Sequence, residues 1–129
     1  MGAPKGNGMS VALEDLDERF KPFAVRLLAE AAYQGIELAV ICTRRTEQEH
    51  AANVAKGVSW VKRSKHCDGL AIDVCPIRLL REKFWAPASP LWEELGDLGE
   101  ILGMRWGGRW RQRDLGHFEY IAKRETKRA

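Results

Sequence analysis

An α+β fold is what this sequence predicts, and three observations predict it. Apolar positions recur at helical spacing between clear start and stop residues. Short β-branched runs interrupt them, and the two kinds of segment follow no regular βαβ rhythm. The length of 129 residues suits one domain around one core. With 45% hydrophobic and 30% charged residues, the composition is that of a soluble globular protein. A net charge of +3 and a pI near 8.9 favour anionic surroundings without naming them. No apolar run approaches a membrane span, so no stable membrane insertion is expected.

Met1 to Ser10 is Gly-rich and polar, so it is expected to be disordered and lacks the apolar segment of a secretory signal. That leaves 11–122 as the folded domain and 123–129 as a charged, frayed tail. Leu13, Leu16 and Phe20 suit a turn or short helix. Pro22, at a first-turn position, opens a helix to Gln34 that Gly35 terminates, with Phe23, Leu27, Leu28 and Ala31 on its buried stripe. Ile36 to Cys42 is short and apolar, the pattern of a mostly buried strand. Thr46-Glu47-Gln48-Glu49 is a capping box, which predicts a second helix ending near Ala55 before Gly57. Ser59 to Arg63 is a basic loop or hairpin arm.

A strand follows over Ala71–Val74, and Pro76 stops its pairing. Arg81 to Ala88 is a connection. Ser89 as N-cap and Pro90 in the first turn open a third helix to about Leu102, with Leu91, Leu95, Leu98 and Leu102 buried and Gly103 as terminator. Trp106 to Trp110 is a strand end and turn, and His117 to Ile121 is the last strand.

The chemistry concentrates in two stretches. Ser64-Lys65-His66-Cys67-Asp68-Gly69-Leu70-Ala71-Ile72-Asp73 holds a histidine and an aspartate on either side of a glycine bend. Asp114-Leu115-Gly116-His117-Phe118-Glu119 adds a second histidine with a carboxylate three positions before it. Two histidines and an aspartate from separate segments are the usual inventory of a catalytic zinc site, which keeps one position open for water. Asp114 is near enough to His117 to act as general base on that water. Glu119 shares the strand face of His117, because side chains repeat every second residue, and suits an outer partner or a salt bridge. Each residue alone also has a plainer reading, as a surface histidine, a turn carboxylate or a core histidine.

Cys42, Cys67 and Cys75 make an odd number without a Cys-x-x-Cys pair, so a disulfide framework is not expected. Cys42 and Cys75 lie in apolar runs and read as small buried hydrophobes. Cys67 points away from His66 on an extended segment and reads as a bystander. His50 reads as a solvated helix residue. Trp106 and Trp110 suit either core packing or the wall of a peptide groove. Arg105, Arg109, Arg111 and Arg113 form either an attractor for an anionic polymer or a basic rim.

The segment Ser64-x-His66-x-x-Gly69-x-Ala71-x-Asp73 resembles the signature of the VanY-type zinc peptidases, which include D-alanyl-D-alanine carboxypeptidases and phage L-alanyl-D-glutamate endopeptidases. Asp114-Leu115-Gly116-His117 resembles their second signature, and the run Met104 to Trp110 resembles the segment before it in phage endolysins. The similarity covers roughly residues 13–121.

What the resemblance implies is a hedgehog-like α+β domain, a small mostly antiparallel sheet flanked by helices. It implies one catalytic Zn2+ on His66, Asp73 and His117, with Asp114 as general base and Ser64, Glu119 and Trp106 as supporting or substrate-facing residues. It also implies an arginine that steadies the substrate. Cys42-Thr43-Arg44-Arg45-Thr46 stands at that position, and Arg45 is favoured because Thr46 follows it as helix cap.

The function implied is hydrolysis of the L-alanyl-D-glutamate bond of the peptidoglycan stem peptide by a phage or prophage endolysin. Such a protein is made without a signal peptide in the host cytoplasm and reaches the wall after a holin opens the membrane. A D,D-carboxypeptidase on the same scaffold is the nearer alternative, and a non-catalytic wall-binding module the more distant one. A monomer is expected. A nucleic-acid partner is not, because no phosphate loop or reading helix accompanies the basic residues.

Overall fold

The computed structural model describes residues 9–46, 55, 64–82 and 85–122. The helix expected over 46–55 and the arm at 59–63 lie outside these residues, except for Thr46 and a helical Ala55. So do His50 and the tail at 123–129.

Six strands are described: β1 (Met9–Ser10), β2 (Leu38–Cys42), β3 (Arg44–Arg45), β4 (Ala71–Pro76), β5 (Arg105–Trp106) and β6 (His117–Glu119). The helices among the described residues are α1 (Lys21–Tyr33), α2 (Ile77–Glu82) and α3 (Pro90–Ile101). The main sheet is four-stranded in the order β2-β4-β6-β5, and every pair is antiparallel. A two-stranded ribbon pairs β1 with β3. The α+β expectation holds.

α1 starts at Lys21 with Pro22 in its first turn and stops before Gly35, whose φ of 87° an L side chain would resist. It buries Ala24, Leu27 and Ala31, while Phe23 and Leu28 sit at the margin. Ser89 caps α3 by accepting a hydrogen bond from the Leu91 backbone N–H at 3.2 Å. The buried face of α3 is Trp92, Leu95, Gly96, Leu98 and Gly99, so the predicted stripe is rotated and Leu91 and Leu102 are only half-buried.

The glycines explain the rotation. A Cβ on Gly96 would lie 2.3 Å from the Trp106 ring, so the helix backbone itself rests on that indole. Gly96→Ala is expected to destabilise the protein by about 1–3 kcal/mol through overpacking, despite alanine's better helix propensity. Urea unfolding measures it, and unchanged stability would refute the close approach.

Three further expectations are corrected. Met9–Ser10 is ordered, because Ser10 O accepts from the Thr43 N–H at 2.8 Å and Ser10 Oγ accepts from the Ala12 N–H at 2.9 Å. Polar anchoring of this kind needs no apolar face. The connection after β4 begins with α2, which is too short for its apolar residues to display a helical period. The last strand ends at Glu119 rather than Ile121, although the Tyr120 N–H still reaches Leu70 O at 2.9 Å.

Along β4, Ile72 and Val74 are fully buried in the core with Leu27, Leu95, Trp106 and Phe118. Asp73 points the other way, as alternation requires. Its neighbours in register are Cys42 on β2 and His117 on β6. The sheet therefore carries the row Cys42, Asp73, His117 across three adjacent strands. No helix among the described residues is long and apolar enough to cross a membrane.

Candidate metal centre

His66 reaches this row from a 3₁₀ turn over Lys65–Asp68. Ser64 caps the turn, its Oγ accepting from the His66 N–H at 3.1 Å, and Gly69 ends it at a φ of 71°. The turn is anchored from outside by the Asp17 N–H, which donates to Gly69 O at 2.9 Å. A bend with fixed caps thus delivers one histidine, and the strand leaving it delivers the aspartate.

Asp73 Oδ1 lies 3.1 Å from His66 Nε2 and 3.1 Å from His117 Nδ1. Both imidazoles are almost wholly buried, with centroids 5.1 Å apart and planes crossed at 80°. The potential donor atoms form two overlapping groups that share Asp73: Cys42, His66 and Asp73, and Asp73, Asp114 and His117. The site as expected, His66 with Asp73 and His117, spans both.

These residues fit a metal ion. Zinc donors at bond lengths of roughly 2.0–2.2 Å in tetrahedral array stand a little over 3 Å apart, which is the spacing of each histidine from Asp73. His66 Nε2 is buried and satisfies no hydrogen-bond geometry, a costly condition unless a ligand takes its lone pair. Two imidazoles and a carboxylate are also a donor set suited to zinc.

The electrostatics agree. Burial alone would raise the Asp73 carboxyl, but the His66 charge, the hydrogen bond from His117 and the His117 charge outweigh it and hold the group well below the usual carboxylate range. Burial would lower His117, yet its hydrogen bonds to Asp73 and Glu119 raise it to about 10. A proton thus sits where a bound cation would replace it.

Glu119 supports His117 from behind, with Oε1 2.8 Å from Nε2. Its Oε2 is 3.3 Å from Arg105 Nη1 and 3.6 Å from Lys65 Nζ. Burial raises the Glu119 carboxyl, but the His117 hydrogen bond and the surrounding positive charges bring it below its ordinary value.

Asp114 stands at the rim, its side chain 53% exposed and Oδ2 3.9 Å from His117 Nδ1. Partial desolvation, then the neighbouring Asp73 charge, push its carboxyl upward. Arg45 lies on the other side, largely buried, with Nη2 4.0 Å from Asp73 Oδ2 and Nε without a hydrogen-bond partner. Arg44 turns away, donating to Asp15 O at 3.2 Å. The two arginines are separated as neighbours on a strand should be, and Arg45 is the one at the site.

Trp106 is fully buried, stacked near Phe118, with Nε1 donating to Leu115 O at 2.7 Å. Substrate contact is thereby excluded, and its role is to hold the turn that precedes His117. Trp110 is the tryptophan beside the site, half-buried with its ring 4.9 Å from that of His117.

Arg105, Arg109 and Arg113 of the arginine run are committed to structure. Arg109 pairs with Asp97 at 2.9 Å and Glu100 at 3.0 Å, and Arg113 pairs with Glu93 at 2.7 Å. Both guanidiniums also lie over the Trp106 ring. Cys67 directs its thiol to Thr46 O at 3.9 Å, consistent with a bystander.

Cys42 is what the sequence reading missed. It is buried as expected, but its Sγ lies 3.7 Å from His66 Nδ1. Burial, with Asp73 adding, pushes this thiol up to about 12. The signal available was its place at the end of the strand leading directly to Arg44 and Arg45.

The sequence profile of a family described as D-alanyl-D-alanine carboxypeptidase (Peptidase M15) matches residues 57–120, which contain His66, Asp73, Asp114 and His117. Through this stretch the chain is similar to that peptidase family. The L-alanyl-D-glutamate peptidase of Listeria phage A118 is 33% identical over 95 residues, covering 74% of this chain and 34% of the relative. The chain thus spans about a third of that relative's length.

Among solved structures, the Serratia marcescens L-Ala D-Glu endopeptidase ChiX has a TM-score of 0.64 at 22% identity, covering 84% of this chain and 83% of its own. A mutant of the vancomycin resistance D,D-pentapeptidase VanY, in complex with Zn(II), has a TM-score of 0.61 at 17% identity, covering 97% of this chain and 86% of its own. At these identities the likeness is one of fold, and the family's peptidase fold is the one seen here.

Proposed function

We propose that this chain is a zinc-dependent peptidoglycan peptidase of the phage or prophage endolysin type, cleaving the L-alanyl-D-glutamate bond of the stem peptide. The observation that carries the reading is the convergence of His66, Asp73 and His117 from separate segments, with Asp114 at the rim. The bond is chosen from the 33% identical phage relative.

His66 through Nε2, His117 through Nδ1 and Asp73 through its carboxylate would hold one zinc ion. When bound, the ion supplies Lewis acidity that polarises a carbonyl and lowers the pKa of water. Asp114 takes a proton from the attacking water as its oxygen bonds to the L-alanyl carbonyl carbon. The same carboxyl returns the proton to the nitrogen of D-glutamate as the C–N bond breaks. The upward push on Asp114 suits both halves of this exchange. Arg45, with an unpartnered N–H, presents its guanidinium to the developing oxyanion or to a substrate carboxylate. Ser64 fixes the backbone of the turn that carries His66, and Glu119 fixes the orientation of the His117 imidazole. Acting on a wall polymer from inside the host requires prior opening of the membrane, the part assigned to a holin.

Mass spectrometry of fragments released from purified peptidoglycan tests the bond. Fragments with a new amino terminus at D-glutamate are expected. Release of terminal D-alanine alone would overturn the endopeptidase reading in favour of the carboxypeptidase.

A further inference from the structure

The two histidines of the centre are held from behind by unlike partners. His117 has the Glu119 carboxylate 2.8 Å from Nε2. His66 has a sulfur, Cys42 Sγ, 3.7 Å from Nδ1. A histidine presents one nitrogen to a metal only if its proton is kept on the other, and the hydrogen bond made by that other nitrogen selects the tautomer. At His66, Nε2 is the nitrogen 3.1 Å from Asp73 Oδ1, on the side of the other donors, so with Nε2 given to a metal the proton of the neutral ring stays on Nδ1. Cys42 is placed to receive it.

Two features make the contact part of the construction rather than chance packing. Cys42 is 1% exposed and His66 2% exposed, so water does not compete for Nδ1. Cys42 stands in register with Asp73 on the neighbouring strand, where a shift in the ladder between Val40 and Cys42 sets its position. Sulfur hydrogen bonds are longer than those to oxygen, and a thiol is a weak acceptor.

We propose that Cys42 is a positioning residue for His66: its sulfur accepts the Nδ1–H hydrogen bond and so holds Nε2 toward the metal. The inference rests on the metal-centre reading above, in which His66 is a ligand. In this reading Cys42 is not a ligand, because its sulfur faces Nδ1 of His66 whereas Nε2 is the nitrogen beside Asp73.

Zinc affinity, measured by competition with a chromogenic chelator on the full chain, tests this without reference to catalysis. Removing an outer partner of a metal-binding histidine costs roughly 10- to 100-fold in affinity. Cys42→Ala is expected to weaken zinc binding about 10-fold, at the lower end of that range because a thiol is a weak acceptor. Cys42→Ser, which keeps an acceptor, is expected to stay within about threefold of the unmodified protein. Equal affinity of all three proteins would overturn the proposal. Equal weakening in both variants would also overturn it, by showing that packing and not the acceptor matters.

Cobalt substitution gives the second readout. The Co(II) protein is expected to lack a sulfur-to-cobalt charge-transfer band in the near ultraviolet, and such a band would show direct ligation by Cys42 and overturn the assignment. A protein that binds neither zinc nor cobalt would refute the metal-centre reading itself, an outcome distinct from failure of the Cys42 role.

Discussion

Asp114→Asn is expected to lower peptidoglycan cleavage by about 10²- to 10⁴-fold, the usual contribution of a general acid–base group, while zinc affinity stays near that of the unmodified chain. The separation of the two effects follows from where Asp114 sits. Its side chain is 53% exposed and approaches His117 Nδ1 only to 3.9 Å, whereas Asp73 lies between the two histidines. An amide at 114 keeps the backbone contacts of the turn, where the residue's N–H donates to Gly107 O at 3.0 Å. It cannot accept the proton of water at neutral pH. Steady-state kinetics on solubilised peptidoglycan, with zinc content read in parallel, separates the outcomes. Unchanged cleavage would remove Asp114 from the mechanism, and lost zinc would make it a ligand.

His117→Ala is expected to abolish cleavage and to weaken zinc binding by more than about 100-fold, beyond the cost of losing an outer partner. The variant should still fold. Glu119, which loses its 2.8 Å contact, keeps Arg105 at 3.3 Å and Lys65 at 3.6 Å, so no buried charge is stranded. The neighbouring core of Ile72, Trp106 and Phe118 is on the opposite face of the sheet and is untouched. Zinc stoichiometry by equilibrium dialysis, with circular dichroism as a check on folding, reads the result. Retained zinc at full affinity would show that His117 is not a ligand.

The site was legible in the sequence to the extent that strand alternation made it so. Ile72 and Val74 around Asp73 announce a carboxylate facing away from the core, and the glycine after His66 announces the bend that brings the two together. His117 and Glu119 share a face for the same reason. Cys42 was not legible as a participant, because an apolar run around a cysteine reads as core whichever imidazole lies across the next strand. Trp106 and Trp110 could not be told apart, since β5 is only two residues long and offers no period to phase them. Between Arg44 and Arg45 the sequence favours Arg45 through the Thr46 cap, and the Asp15 carbonyl that holds Arg44 away from the site agrees.

Elsewhere the gaps have similar causes. Periodicity places the buried face of α3 on its leucines, but Gly96 and Gly99 let the helix settle against Trp106 and Phe118 by its backbone. That contact depends on rings contributed by distant strands, which no local window contains. Composition places Met9 and Ser10 in a disordered segment, yet hydrogen bonds to Thr43 and Ala12 need only backbone and one hydroxyl. The arginines before Asp114 looked like a free basic rim because their partners, Glu93, Asp97 and Glu100, lie on a helix earlier in the chain.

The measurement that bears most directly on the central claim is a zinc titration of chelator-stripped protein, followed by the release of fragments from purified peptidoglycan. The account predicts no cleavage in the stripped protein and a rise with added zinc that saturates at one ion per chain. Cleavage that persists at full rate in the stripped protein would contradict a metal centre built from His66, Asp73 and His117.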